Sequence, residues 1–133
     1  RARFTSTPDR YNARPESMAE AQKVLGRQKA RKIAVLGDML ELGVCTQAEH
    51  YKVGRLAAEL ADYLMAYGPN SGRMEKGALT GGMVNGKARS FTDRKELALA
   101  LKRLARPGDV LLFKGSRGMH MELALELFFS DER

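Results

Sequence analysis

The sequence predicts an α/β fold, a mostly parallel sheet flanked by helices on both faces, and three observations carry that prediction. Short continuous apolar runs occur at Ile33-Ala34-Val35-Leu36, at Leu64-Met65-Ala66-Tyr67 and at Val110-Leu111-Leu112-Phe113. Runs of that length suit strands buried on both faces. Segments of helical period separate them, and each run stops abruptly at Gly or at a polar, glycine-containing loop. Apolar strands alternating with helices argue for a parallel sheet with helices packed against it.

Taken in order, residues 1–14 read as an irregular opening segment, because Thr5-Ser6-Thr7-Pro8 has loop character. Pro15 presets φ for a helix start, and Met18, Ala21, Gln22, Val24 and Leu25 mark one face over residues 15–30. A buried strand follows at residues 32–37. From Thr46 to Leu60 the period is helical, with Val53, Leu56, Ala57 and Leu60 on one face. A second strand spans residues 62–67 and ends at Gly68-Pro69-Asn70. Residues 71–83 are a weaker helix candidate, since Gly72, Gly77, Gly81 and Gly82 each cost helix stability. Residues 87–91 read as a short edge strand. Asp93-x-x-Glu96 resembles a capping box, and Leu97, Leu101 and Leu104 carry a helix toward Pro107-Gly108. A strand over residues 109–113 and a helix from about Met119 to Phe128 complete the pattern, and residues 1–133 read as a single domain.

Composition narrows the function. The 133 residues are 44% hydrophobic and 29% charged, ordinary for a soluble globular protein. No apolar run approaches the roughly 20 residues needed to cross a bilayer, and Arg1-Ala2-Arg3-Phe4-Thr5 lacks the apolar core of a signal peptide. Cys45 is the only cysteine, so a reducing cytoplasm is the expected home. With His50 and His120 the only histidines, no metal site is expected. The net charge of +7 is spread along the chain, without Trp and without interleaved aromatics. That pattern disfavours nucleic acid and suits an anionic small substrate such as a nucleotide.

Ligands of open sheets bind beyond the carboxyl ends of the strands. Three such ends carry chemistry here: Gly37-Asp38-Met39, Gly68-Pro69-Asn70 and Lys114-Gly115-Ser116-Arg117. Arg117 offers a planar fork for phosphate or carboxylate, and Lys114 a mobile point charge. Gly115 and Gly118 let backbone amides approach an anion. The same stretch also fits an ordinary basic loop facing solvent. Asp38 and Glu41 suit either the orientation of a cationic amine or metal-bound water, or a solvated loop pinned by Gly37 and Gly43. Asp9 and Asn12 suit a ribose-binding loop or a turn that satisfies its own backbone before a helix. His50 reads as a helix-start or packing residue, and Met119 and Met121 as core. Gly81-Gly82-Met83-Val84-Asn85-Gly86-Lys87 has P-loop spacing, but Ala88 stands where Ser or Thr meets Mg²⁺, and no buried strand precedes it. It reads as a glycine-rich turn, so any ATP phosphates are expected to be gripped by another domain.

Several strings occur together and in order: Asp9-x-Tyr11-Asn12-Ala13-x-Pro15-x-Ser17-Met18, Gly37-Asp38-Met39-Leu40-Glu41-Leu42-Gly43, His50-x-x-Val53-Gly54, Gly108-Asp109 and Lys114-Gly115-Ser116-Arg117-Gly118-Met119. From about Asp9 onward the chain resembles the C-terminal domain of the Mur ligases, in the branch that joins D-Ala-D-Ala to UDP-N-acetylmuramoyl-tripeptide. The resemblance implies a Rossmann-like fold. It also implies a role as the closing third domain of a three-domain, ATP-dependent cytoplasmic ligase of peptidoglycan synthesis. ATP and Mg²⁺ would be held mainly by a central P-loop domain, and the UDP-sugar by a first domain. By motif position, Asp9 and Asn12 would lie at the nucleotide, Lys114, Ser116 and Arg117 would face substrate, and Asp38 and Glu41 would flank the dipeptide. The family usually reads Tyr-Asn-Ala-Asn-Pro, whereas Arg14 replaces the second Asn here. Its apolar first strand normally ends in Asp before Asp9, but Pro8 follows Thr5-Ser6-Thr7, so that strand is expected to be missing or altered. The isolated chain is expected to lack turnover. The alternative reading is a stand-alone, non-catalytic basic module for nucleotides or nucleic acid.

Overall fold

The computed structural model describes residues 3–6, as backbone only, and residues 13–129. Five strands form one parallel sheet: β1 (Arg3–Ser6), β2 (Lys32–Gly37), β3 (Tyr63–Tyr67), β4 (Ala88–Phe91) and β5 (Val110–Lys114), in the order β1-β5-β2-β3-β4. The helices are α1 (Pro15–Gly26), α2 (Thr46–Leu60), α3 (Ser71–Thr80), α4 (Arg94–Leu104) and α5 (Met121–Phe129).

Period-two alternation in the strands sorts the core into two layers. Ala34 and Leu36, Leu64 and Ala66, Val110 and Leu112 pack with Met18 and Leu25 of α1, Val53 and Ala57 of α2, and Met74 and Ala78 of α3. Ile33 and Val35, Met65 and Tyr67, Leu111 and Phe113 pack instead with Leu97 and Leu101 of α4 and Met121 and Ala124 of α5. The chain steps outward from β2 through β3 to β4 on the first face. It returns through α4 to place β5 between β1 and β2. That reversal sets the end of β5 beside the end of β2 and creates the crevice where such sheets hold ligands.

The opening segment departs from its expected irregularity: Arg3–Ser6 form β1, paired in register from Arg3↔Val110 to Ser6↔Phe113. A four-residue edge strand with one neighbour carries no internal period, and its partner lies at the other end of the chain, so local pattern cannot reveal it. α3 is likewise firmer than its glycines suggest. A Cβ on Gly54 would sit 1.8 Å from the Met74 carbonyl oxygen, and one on Gly77 would sit 2.1 Å from the Tyr51 carbonyl oxygen. The missing side chains let α2 and α3 touch backbone to backbone, and that packing offsets the helix-propensity cost. The Asp93 cap forms as expected, its carboxylate accepting Lys95 N at 2.7 Å and Glu96 N at 3.3 Å.

At the amino ends of the strands, Arg31 joins β2 to the turn before β5. Its Nε donates to Asp109 Oδ1 at 3.0 Å and its Nη2 to Oδ2 at 2.7 Å, while Arg106 N donates to Oδ2 at 2.8 Å. Nη1 reaches Tyr63 Oη at 3.3 Å. Burial pushes the Asp109 carboxyl up, but the Arg31 guanidinium and the Arg106 amide outweigh it and hold the group below its ordinary value.

Two outcomes are expected. Gly54→Ala should lower stability by about 3 kcal/mol in urea denaturation, whereas Gly72→Ala, with open space around its Cβ, should raise it by up to about 1 kcal/mol; equal effects would deny the close helix contact. Asp109→Asn should cost about 2 kcal/mol at neutral pH. Because the folded-state value is depressed, this contribution is fully present above the ordinary value of 3.8 and fades as pH falls through the lower folded one. Thermal melts of wild type and variant should therefore converge in acid, and a constant gap would count against the charge pairing.

Candidate functional site

β2 and β5 run side by side with Leu36 opposite Lys114, so their following loops leave the sheet together. Glycines let those loops close on each other. A Cβ on Gly115 would stand 2.9 Å from the Gly37 Cα, and one on Gly118 would stand 2.7 Å from Leu40 Cδ1. The second loop turns through a short 3₁₀ segment, Arg117–Met119, before α5.

Inside this junction the loop after β2 is held almost wholly by side chains. Asp38 is buried, and its carboxylate accepts from Asn70 N at 3.0 Å and from Asn70 Nδ2 at 2.6 Å, tying the β2 loop to the start of α3. The Asp38 carbonyl accepts from Ser116 N at 2.9 Å. Met39 N donates to His50 Nε2 at 2.9 Å, and Leu40 N donates to Ser116 Oγ at 2.9 Å. An Nε2 that accepts carries no proton, so the hydrogen-bond pattern assigns the ring N–H to Nδ1, which lies 2.6 Å from the Thr46 carbonyl oxygen and donates to it. Although Asp38 Oδ2 is 3.9 Å from His50 Nε2, this tautomer makes the contact dipolar rather than an ion pair.

The structure separates the sequence-predicted residues into two groups. Asp38 and Ser116 come together, both buried and both binding the β2 loop. Glu41 and Arg117 are exposed at the mouth. Glu41 has φ +62° and His120 φ +51°, so each of the two loops turns through the left-handed region at a residue with a side chain. That conformation costs roughly 1–3 kcal/mol and recurs at binding sites. Lys114 is buried and lines, with Glu16, Glu20 and Leu112, a cavity of about 530 Å³ between α1 and β5, on the sheet face that α1 covers. Asp9 and Asn12 lie outside the described residues.

Three positions matter that the sequence reading did not single out as site residues. Asn70 clamps Asp38, and His50 holds Met39 N. Arg94, at the start of α4, lies 5.6 Å from the Tyr67 ring centroid and directs Nη2 toward the Met119 carbonyl at 3.5 Å. The available signal for His50 was its place four residues after Thr46 on the apolar face of α2, which suits a satisfied core histidine. Asn70 belongs to Gly68-Pro69-Asn70, one of the three strand ends the sequence marked, without a role of its own there, and Arg94 carried no local signal. Among the described residues no group of three or more His, Cys, Asp or Glu is placed to hold a metal ion. The stretch from Gly81 to Lys87 runs from the end of α3 into edge strand β4, the reverse of the strand–loop–helix order a phosphate loop requires.

The family described as Mur ligase, glutamate ligase domain, matches residues 2–117. UDP-N-acetylmuramoyl-tripeptide–D-alanyl-D-alanine ligase of Bacillus subtilis is 36% identical over 117 residues, covering 86% of this chain and 25% of the relative. The enzyme of the same name from Treponema pallidum is 37% identical over 134 residues, covering 99% and 29%. A crystal structure of MurF from Acinetobacter baumannii superposes with TM-score 0.81 at 34% identity, covering 96% of this chain and 28% of that one. MurF ligase from Thermotoga maritima in complex with ADP gives 0.76 at 28% identity, covering 94% and 28%. The chain thus spans about a quarter of the length of the curated relatives it matches.

Removing the Ser116 hydroxyl leaves a half-buried N–H at Leu40 without its partner. Ser116→Ala should therefore cost about 1–3 kcal/mol in chemical denaturation, and an unchanged midpoint would show that water replaces the hydroxyl freely.

Proposed function

This chain belongs to the Mur ligase family, glutamate ligase domain, and from that premise we infer that it is the closing domain of an ATP-dependent ligase that adds D-Ala-D-Ala to UDP-N-acetylmuramoyl-tripeptide in peptidoglycan synthesis. The observation that carries the reading is the mouth formed by the β2 and β5 loops. A rigid buried scaffold there presents an exposed guanidinium and an exposed carboxylate, Arg117 and Glu41, on strained or glycine-flanked backbone. The relatives named UDP-N-acetylmuramoyl-tripeptide–D-alanyl-D-alanine ligase support the substrate assignment, and the ADP complex of a relative supports an adenine nucleotide. All of these relatives are ligases, which leaves nothing in favour of a non-catalytic nucleic-acid module.

In this reading the tripeptide's terminal carboxylate takes the γ-phosphoryl group of ATP with release of ADP, and the dipeptide amine then attacks the activated carbonyl, forming the amide, releasing phosphate and losing a proton. The groups of this chain position and shield. Arg117 faces the anionic reacting end through its planar fork. Glu41 flanks the dipeptide, where a carboxylate attracts its ammonium group. Ser116 and Asp38 act from beneath, the first on Leu40 N and the second through Asn70. Lys114 approaches from the α1 side. Asp9 and Asn12 contact the nucleotide ribose and its surroundings. Closure of the domain excludes water and fixes the reacting groups at short range, a contribution of several kcal/mol to such a transfer. ATP and Mg²⁺ are held mainly by a central P-loop domain of the same cytoplasmic enzyme. A further domain holds the UDP-sugar.

In the full-length ligase, Arg117→Ala should lower kcat/KM for amide formation by about 100-fold with the melting temperature moved by less than about 2 °C. The isolated chain should show no turnover with ATP, Mg²⁺, UDP-sugar tripeptide and D-Ala-D-Ala. An unaffected rate with lost stability would make Arg117 structural, and turnover by the isolated chain would end the closing-domain assignment.

A further inference from the structure

We propose that His50 is the positioning residue of the substrate loop, setting through the Met39 backbone the direction in which Leu40 and Glu41 leave the sheet. The loop's two successive amides are taken by side chains from opposite sides, Met39 N by His50 on α2 and Leu40 N by Ser116 after β5. A peptide held at both N–H groups has little rotational freedom left, and the next residue, Glu41, is driven into the left-handed region at φ +62°. The exposed carboxylate is thereby aimed by contacts that lie wholly beneath it.

The imidazole suits this task and no other. It is fully buried, and both nitrogens are engaged, one accepting from Met39 N and the other donating to the Thr46 carbonyl. It therefore has no free lone pair for a metal and no open position for a proton in transit. A rigid ring carrying an acceptor and a donor on separate edges spans from the first turn of α2 to the loop, a bridge that a flexible side chain holds less firmly. On the same side Asp38 Oδ2, 3.9 Å away, is occupied by Asn70, so the loop is braced from α2, α3 and β5 at once. Gln22 reaches α2 similarly, Nε2 to the Val53 carbonyl at 3.3 Å, but touches no loop of the mouth.

This assignment rests on the ligase reading above, and the test separates the two. In the full-length enzyme, His50→Leu should raise KM for D-Ala-D-Ala by about tenfold or more while leaving KM for ATP within about twofold. His50→Gln, whose amide oxygen can still accept Met39 N–H, should recover most of the loss. In the same preparations, His50→Leu should speed amide exchange at Met39 and Leu40 by about tenfold without a comparable rise at Ile33–Val35, and ¹⁵N spectra of the wild-type imidazole should show Nε2 unprotonated. If both KM values rise alike, or exchange quickens evenly along β2, His50 is a packing residue only and the proposal fails. If the wild-type enzyme does not ligate D-Ala-D-Ala, the functional reading fails, and the exchange pattern alone decides whether His50 holds the loop.

Discussion

A chain leaving the end of a parallel strand has lost its ladder and still must pair its amides, and at Met39 and Leu40 it pairs them with side chains. His50 from α2 and Ser116 from the β5 loop take those two amides in place of a strand partner, while Asn70 at the start of α3 donates to the Asp38 carboxylate. Each bond is of ordinary strength. Their weight comes from the asymmetry of buried hydrogen bonding, in which leaving a donor unpaired costs more than a made bond contributes. The mouth can therefore carry exposed, left-handed residues such as Glu41 and His120 because the backbone beneath them has no alternative arrangement.

Topology supplies the other half of the site. Placing β5 between β1 and β2 sets Gly115 against Gly37 and brings Arg117 to the loop that carries Glu41. Close approach of the two loops needs hydrogen in place of a side chain at those glycines, which accounts for glycine at the strand ends without any appeal to flexibility. The same economy recurs between α2 and α3, where Gly54 and Gly77 bring two helix backbones into contact.

The two ends of the sheet are consequently specialised. The amino end is closed by a charged network, Arg31 with Asp109 and Tyr63, whose consequence is stability and its dependence on acid. The carboxyl end is closed by hydrogen bonds of His50, Ser116 and Asn70 to the β2 loop, and it leaves Arg117 and Glu41 exposed. A domain built this way can meet a charged substrate at one end without drawing on the interactions that keep it folded at the other.

Much of this was legible in the residues. The three central strands and the helices α1, α2 and α4 follow from period and caps, because burial on a sheet or a helix face repeats at fixed intervals along the chain. The family strings around Asp38 and Ser116 fall on the two loops that meet at the ends of β2 and β5. What the sequence could not decide was which way those side chains turn. Arg117 and Glu41 face out while Asp38, Ser116 and Lys114 turn in, and no local pattern separates them. β1 was hidden because its only partner is β5, α3 was undervalued because its glycines are compensated across the α2 contact, and His50 passed for a packing residue because its acceptor role concerns an amide eleven residues earlier. In each case the deciding term is a contact between elements remote in sequence, and such contacts exist only once the chain has folded.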